Sequence, residues 1–305
     1  MKKYFIKYLV FIFPVSVCAQ QLPQYSQYLL NDYVINTGVA GTKPYWEGKS
    51  NHRYQWEGIT DAPRTYIVSA YGPSKNMKMG YGGYLFTDIV GPTRRSGLYG
   101  SYTYHVKFSE EWKLGLSLSG GIMQFMIDGS KITLREEDDA ILTNGVQSAV
   151  MPDAGFSFFL HSKKFYFGGS APQIIANKIN FFKEGVSTTG RLARHYFGIV
   201  GYKFTLDEDF VLEPSLLVKY VEPVPVQFEA ALKIIYKNKL WLGGNFRTED
   251  AISATIGYDY KKSILFAYSY DFITSNLKNY STGTHEIMIG IRFGKLPSEK
   301  ISSSF

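Results

Sequence analysis

From His285 to Phe293 the chain alternates: Ile287, Ile289, Ile291 and Phe293 share one face at period two, while Glu286, Gly290 and Arg292 share the other. That is the pattern of a strand with one apolar side. Runs of the same kind recur along the chain. They predict strands near 48–57, 64–72, 77–87, 95–108, 111–127, 153–161, 164–171, 192–205, 209–221, 225–237, 239–248, 250–261, 262–271 and 284–294. Several faces are plain to read. Phe210, Leu212, Leu216, Val218 and Tyr220 oppose Glu213, Ser215 and Lys219; Val226, Phe228, Ala230, Leu232 and Ile234 oppose Gln227, Glu229 and Lys233; Ile252, Ala254, Ile256 and Tyr258 oppose Ser253, Thr255 and Asp259. An isolated charge on each polar face fits a polar lumen or a hydrogen-bonded interior, because a charge facing lipid at the bilayer midplane costs about 2–4 kcal/mol.

Two architectures use such strands, a soluble sandwich and a membrane barrel. Composition and loop lengths separate them. The 305 residues include 24 Tyr, 22 Phe, 4 Trp and 29 Gly, yet mean hydropathy is only −0.13. Beyond residue 19 no stretch approaches the ~20 apolar residues of a spanning helix. A spanning barrel hides its apolar residues in alternation and places aromatic girdles at both interfaces. Tight turns are expected at Pro73–Asn76, Ser109–Glu110, Ser162–Lys163, Leu206–Glu208, Lys237–Lys239 and Lys261–Lys262. Between them fall Ile59–Pro63, Asp88–Arg94, Asp128–Pro152, Pro172–Arg191, Glu222–Pro225, Thr248–Glu249 and Phe272–Gly283, most of them longer. Outer-membrane barrels sort periplasmic turns from external loops in this way. The expected fold is all-β, a transmembrane antiparallel barrel of about 14 strands of the outer-membrane type over residues 48–294.

The first 19 residues predict a secretory leader, with Lys2, Lys3 and Lys7 before an apolar run from Tyr8 to Val17 and cleavage expected between Ala19 and Gln20. A lipoprotein signal at Cys18 is the alternative, with Val17 a poor residue before it. Cleavage would remove the only cysteine and lower the net charge from +7 to +4, which gives a nucleic-acid role no support. Residues 20–47 lack periodicity and are expected either to plug the lumen or to contact a periplasmic partner. Residues 295–305 form a polar tail expected in the periplasm.

Chemistry of a catalytic kind is sparse. His52, His105, His161, His195 and His285 lack ligand spacing, and Glu136-Glu137-Asp138-Asp139 lacks the spacing of a calcium loop. The strongest hydrolase candidates are Ser281, His285 and Asp271, with nothing to position a nucleophile or an oxyanion hole. Neither an enzyme activity nor a metal or cofactor is expected.

Other motifs stand without catalytic logic: Gln24-Tyr25-Ser26-Gln27-Tyr28 with Asn31 and Asn36; Arg53-Tyr54-Gln55-Trp56-Glu57-Gly58 running on to Asp61-Ala62-Pro63-Arg64-Thr65; Asp88-Ile89-Val90-Gly91-Pro92; Arg247-Thr248-Glu249-Asp250; and Tyr268-Ser269-Tyr270-Asp271 through Thr284-His285-Glu286. Together, from Gln24 to Phe293, they resemble the PorP/SprF family of Bacteroidota outer-membrane proteins. The chain departs from that family's pattern at Asn36-Thr37-Gly38, where Asn-Pro-Ala is usual, and at Asp61, where glycine is usual. The resemblance implies an outer-membrane barrel of the type IX secretion and gliding system, acting with a translocon and its periplasmic ring proteins. It also implies a partner in the C-terminal sorting domain of a secreted adhesin. The strand register places Arg53, Trp56, Arg64, Asp88, Arg247, Asp250, Asp271 and Glu286 at or beside external connections. They are expected either to form one polar-aromatic partner surface at the outer mouth or only to pin loops into a closed plug through salt bridges and turn chemistry. A diffusion channel or hydrophobic-solute transporter is the alternative function.

Overall fold

The computed structural model describes residues 23–132, 145–175, 192–222 and 224–294. The expected leader with its expected cleavage between Ala19 and Gln20, the acidic run 136–139 and the tail 295–305 lie outside the described residues.

Fifteen strands are described: β1 (Tyr45–Tyr54), β2 (Arg64–Pro73), β3 (Met79–Val90), β4 (Thr93–Lys107), β5 (Lys113–Asp128), β6 (Val146–His161), β7 (Phe165–Ala171), β8 (His195–Tyr202), β9 (Phe204–Thr205), β10 (Phe210–Val221), β11 (Val224–Tyr236), β12 (Leu240–Arg247), β13 (Ala251–Tyr260), β14 (Ile264–Ile273) and β15 (Thr284–Gly294). Neighbours in sequence pair antiparallel all the way round. β15 pairs back onto β1 from Tyr45↔Gly294 to Tyr54↔His285, which closes the wall. The two-residue β9 continues β8 past Lys203, and both pair with β10, so the wall has fourteen staves.

Side-chain parity follows the predicted pattern. Ile287, Ile289, Ile291 and Phe293 are 45–52% exposed on the outside, whereas Met288 and Glu286 are fully buried on the inside. A sheet that presents rows of half-exposed Val, Leu, Ile and Phe to its surroundings needs lipid there. The charges of the polar faces point inward and are paired: Glu213 with Lys233 at 2.9 Å, Glu229 with Lys219 at 3.3 Å, and Asp259 with Arg292.

Strand ends differ from the sequence reading in informative places. β6 begins at Val146 rather than near 153, where Pro152 interrupts the pattern without ending the pairing with β5. β1 begins at Tyr45, since Trp46 and Glu47 pair with Phe293 and Arg292. The expected loop Asp88–Arg94 shrinks to a two-residue turn, Gly91-Pro92, and Asp88 lies within β3. Asp61, at the position where a glycine was expected, adopts φ 55°, a left-handed conformation that Asp tolerates better than most residues.

Tyr45 and Gly294 lie at the same end as the short turns 74–78, 108–112, 162–164, 206–209, 237–239 and 261–263. Outer-membrane barrels hold this end in the periplasm. The opposite, outer end carries the loops 55–63 and 274–283 together with the turns 91–92 and 248–250.

Residues 24–40 run down the inside of this wall. Gln24 bonds Asp250 at the outer end, Tyr28 meets Ser215, Tyr33 meets Ser101 at 2.7 Å, and the Ala40 carbonyl meets His105 toward the periplasmic end. Two short 3-10 turns, Asp32–Val34 and Thr37–Val39, compact the segment, the second capped by the Asn36 side chain accepting from Gly38 N. Tyr25, Tyr28, Tyr33, Ile35 and Val39 pack in one cluster with the inward Ile67, Tyr71, Phe86 and Tyr99 of the wall. Tyr33 stacks on Tyr71 with ring centroids 4.4 Å apart. The fit depends on wall glycines: a Cβ at Gly80 would collide with the Ala40 carbonyl, and one at Gly115 with that of Gly38.

Candidate functional site

At the outer end, one seryl group of the luminal segment organises the charges of four strands. The Ser26 hydroxyl donates to Asp271 Oδ2 at 2.7 Å and accepts from Arg53 Nη1 at 2.8 Å and Arg247 Nη2 at 3.1 Å. One hydroxyl has one proton and two lone pairs, so it is saturated. Its backbone N–H donates to Glu286 Oε2 at 2.7 Å. Arg53 bridges Asp271 at 2.8 Å and Glu286 at 3.1 Å. Arg247 bridges Glu229 at 3.0 Å, Asp250 at 2.8 Å and Asp271 at 3.5 Å, and Asn245 also donates to Glu229. Asn51 joins Glu286 to Asn31 of the luminal segment, and the Gln27 side chain donates to the Glu286 carbonyl at 2.9 Å.

Arg53, Arg247, Glu229, Asp271 and Glu286 are each no more than 2% exposed. Removing one partner from such a cluster leaves buried charge uncompensated, whereas in the complete set every charged group meets an opposite charge, with Arg53 Nε and Asp271 Oδ1 left without a hydrogen-bond partner. The cluster therefore locks Gln24–Gln27 to the wall.

The eight residues singled out from sequence do not form one surface. Arg53, Asp88, Arg247, Asp271 and Glu286 are buried inside the barrel. They engage the luminal segment and each other, except Asp88, which takes Thr65 at 2.7 Å and Arg95 at 2.6 Å. Asp250 is half-buried at the edge of the cluster. Trp56 stands in the loop 55–63 with φ 52°, its N–H donating to Thr284 Oγ1. Arg64 is exposed on the outer side of the wall, its guanidinium 5.9 Å from the Tyr54 ring centre. The physical reason is parity: a strand sends successive side chains to opposite faces, so nearness to a loop does not imply exposure.

Sequence reasoning missed Glu229, Asn51 and Asn31 as members of the cluster. Glu229 sits on a polar face that was legible, and Ser26 lies within the Gln24–Tyr28 motif, but nothing local reveals that these meet Arg247. Nor do Ser281, His285 and Asp271 assemble. Asp271 points inward to Arg53, Ser281 Oγ accepts from Gly283 N, and His285 faces outward between Glu57 and Tyr268, both at 2.7 Å. Among the described residues no group of three or more His, Cys, Asp or Glu could hold a metal ion.

The outer loops meet above this cluster. Glu57 N donates to Gly283 O at 2.8 Å and Thr282 N to Glu57 O at 3.0 Å. Loops 55–63 and 274–283 thus form one linked platform over the β15–β1 seam, with Tyr280 75% exposed.

A closed antiparallel wall with an apolar outer face and a charged, hydrogen-bonded interior is an outer-membrane β-barrel, and the protein resides in the outer membrane. The chain belongs to the PorP/SprF family of type IX secretion system membrane proteins, whose pattern matches residues 17–291. In architecture it is similar to the Ralstonia pickettii toluene transporter TbuX, at 7% identity and TM-score 0.53, covering 85% of this chain and 92% of that one. The Acinetobacter baumannii outer-membrane protein Omp33 aligns at 9% identity and TM-score 0.48, over 83% and 100% of the two chains. The Pseudomonas putida toluene transporter TodX aligns at 10% and 0.48, over 85% and 91%. At 7% identity the likeness to TbuX carries the fold alone. No curated protein sequence matches the chain.

Proposed function

We propose that this barrel is a non-catalytic docking component of the type IX secretion system, supporting secretion or surface anchoring of a partner adhesin through the adhesin's C-terminal sorting domain. The observation that carries the reading is the filled lumen. Residues 24–40 are tied by hydrogen bonds to strands on every side of the wall, from β15 (Ser26 and Gln27 to Glu286) through β4 (Tyr33 to Ser101) and β6 (Thr37 to Ser157) to β10 (Tyr28 to Ser215). A lumen occupied in this way favours contact at the rim over passage of solutes. The platform of loops 55–63 and 274–283 offers the contact. Glu57 and Tyr280 are exposed there and Trp56 is half-buried beside them, residues of types that anchor interfaces when an aromatic core is rimmed by charge.

Deleting the gene and assaying the medium tests this: one large adhesin is expected to leave the cell surface for the medium. Replacing Trp56 and Tyr280 together with alanine is expected to weaken pull-down of the sorting domain while leaving the barrel folded. Unchanged adhesin display, together with altered uptake of small solutes or stepwise conductance of the intact chain in planar bilayers, would favour a channel and overturn the proposal.

A further inference from the structure

The outward side of the outer rim carries a row of residues that the docking function does not use. Cross-strand pairing aligns Tyr270, His285, Tyr54, Arg64, Ile89, Arg94 and Met126 in one row across β14, β15, β1, β2, β3, β4 and β5. Their inward neighbours are the buried Asp271, Glu286, Arg53, Thr65 and Asp88, with Arg95 paired to Asp88, which fixes the row as outward. Two residues nearer the bilayer centre the outward row is His52, Tyr66, Thr87 and Ser96. Two further on it is Val68, Leu85, Leu98 and Ile122, each 52–56% exposed. The wall thus grades from hydrocarbon-facing aliphatics through hydroxyls to arginines.

Arg64 and Arg94 are both exposed, and among the described residues neither forms an ion pair. Their inward counterparts do: Arg53 holds Asp271 and Glu286, and Arg95 holds Asp88. The pair is confined to one side of the barrel. Further round, on β12 to β14, the outward rim row is Phe246, Ile252 and Phe272, all large and apolar. Arginine on a lipid-facing wall costs little near the interface and several times more at the midplane. Two guanidiniums there, without a carboxylate partner among the described residues, lie at the depth of lipid headgroups. They flank Ile89 two strands apart, about 10 Å by ordinary strand spacing. Long side chains at that separation can converge on a single phosphate, which guanidinium forks bind with paired hydrogen bonds.

We propose that Arg64 and Arg94 form a binding site for the phosphate of an outer-leaflet phosphoglycolipid, held against the lipid-facing wall above Ile89. Tyr54, under the Arg64 guanidinium, positions it for that contact.

The test uses the delipidated full-length barrel in detergent, with lipid binding read by native mass spectrometry. Bis-phosphorylated lipid A is the probe, beside the same lipid without phosphates and inorganic phosphate alone. Each arginine near a charged membrane surface contributes roughly fivefold, so R64A/R94A is expected to bind lipid A about twenty-five-fold more weakly. The dephosphorylated lipid is expected to bind the unaltered protein as weakly as lipid A binds the double variant. K75A/K78A, at a turn on the opposite end of the barrel, is expected to leave the affinity unchanged. Far-UV circular dichroism establishes that each variant is folded. Equal binding by R64A/R94A, indifference to the lipid phosphates, an equal loss in K75A/K78A, or inorganic phosphate binding as tightly as lipid A would each overturn the site.

Discussion

The inner and outer faces of the outer rim are built from adjacent residues and behave as opposites. Arg53 and Tyr54, Asp88 and Ile89, Arg94 and Arg95, Asp271 and Tyr270, and Glu286 and His285 are neighbours in sequence, and each pair splits across the wall. Inside, guanidiniums and carboxylates are buried at contact distance and hold Ser26 of the luminal segment. Outside, Arg64 and Arg94 carry the same charge with no carboxylate among the described residues to meet it. The difference teaches that the role of an arginine at this rim is set by parity and register rather than by nearness to a loop. The inner set is buried and tied to the luminal segment, and the outer set is exposed.

The comparison is broken most directly at Arg247. Arg247→Ala leaves Glu229, Asp250 and Asp271 without their shared cation, and is expected to destabilise the folded barrel by about 3–5 kcal/mol. The midpoint of urea unfolding in lipid vesicles, followed by tryptophan fluorescence, reads this; a shift below about 1 kcal/mol would mean that water or mobile side chains compensate the cluster. A middle-sized effect is expected where luminal segment and wall touch through backbone. Gly80→Val places a side chain against the Ala40 carbonyl and is expected to cost about 1–3 kcal/mol by overpacking. Gly100→Val, on the neighbouring strand with nothing within 4 Å of its would-be Cβ, serves as its control; equal losses at the two sites would show that strand propensity, not the luminal segment, sets the cost. The smallest effect belongs to the outer face: Arg64→Ala is expected to stay within about 0.5 kcal/mol of the unaltered protein in the same unfolding experiment. A loss matching that of Arg53→Ala would erase the distinction between the two faces.

Much of this architecture was legible in the residues themselves. Thirteen of the strands appear within a few residues of where alternation put them, because a wall with lipid on one side imposes period two on every stave. The parity of β15 was also plain, with Glu286 opposite Ile287. That of β1 was not: Lys49, Asn51 and Arg53 point inward and Ser50, His52 and Tyr54 outward, and both sets are polar. Only the register Arg53↔Glu286 carries the parity of β15 across to β1 and puts Arg53 inside. Residues 24–40 have no period to read, since each side chain answers to a different strand.

By itself, then, the sequence determined the strands, their apolar faces, the closed barrel in an outer membrane and the family to which it belongs, all of which rest on patterns a few residues long. The tertiary structure alone decided that the lumen is threaded by residues 24–40, which polar groups pair, and which arginines face inward and which outward. Those outcomes depend on contacts such as Ser26 with Glu286, 260 residues apart, and on the register of closure. No local pattern encodes either one, because the energy of a buried charge is set by the partner that the closed wall brings to it.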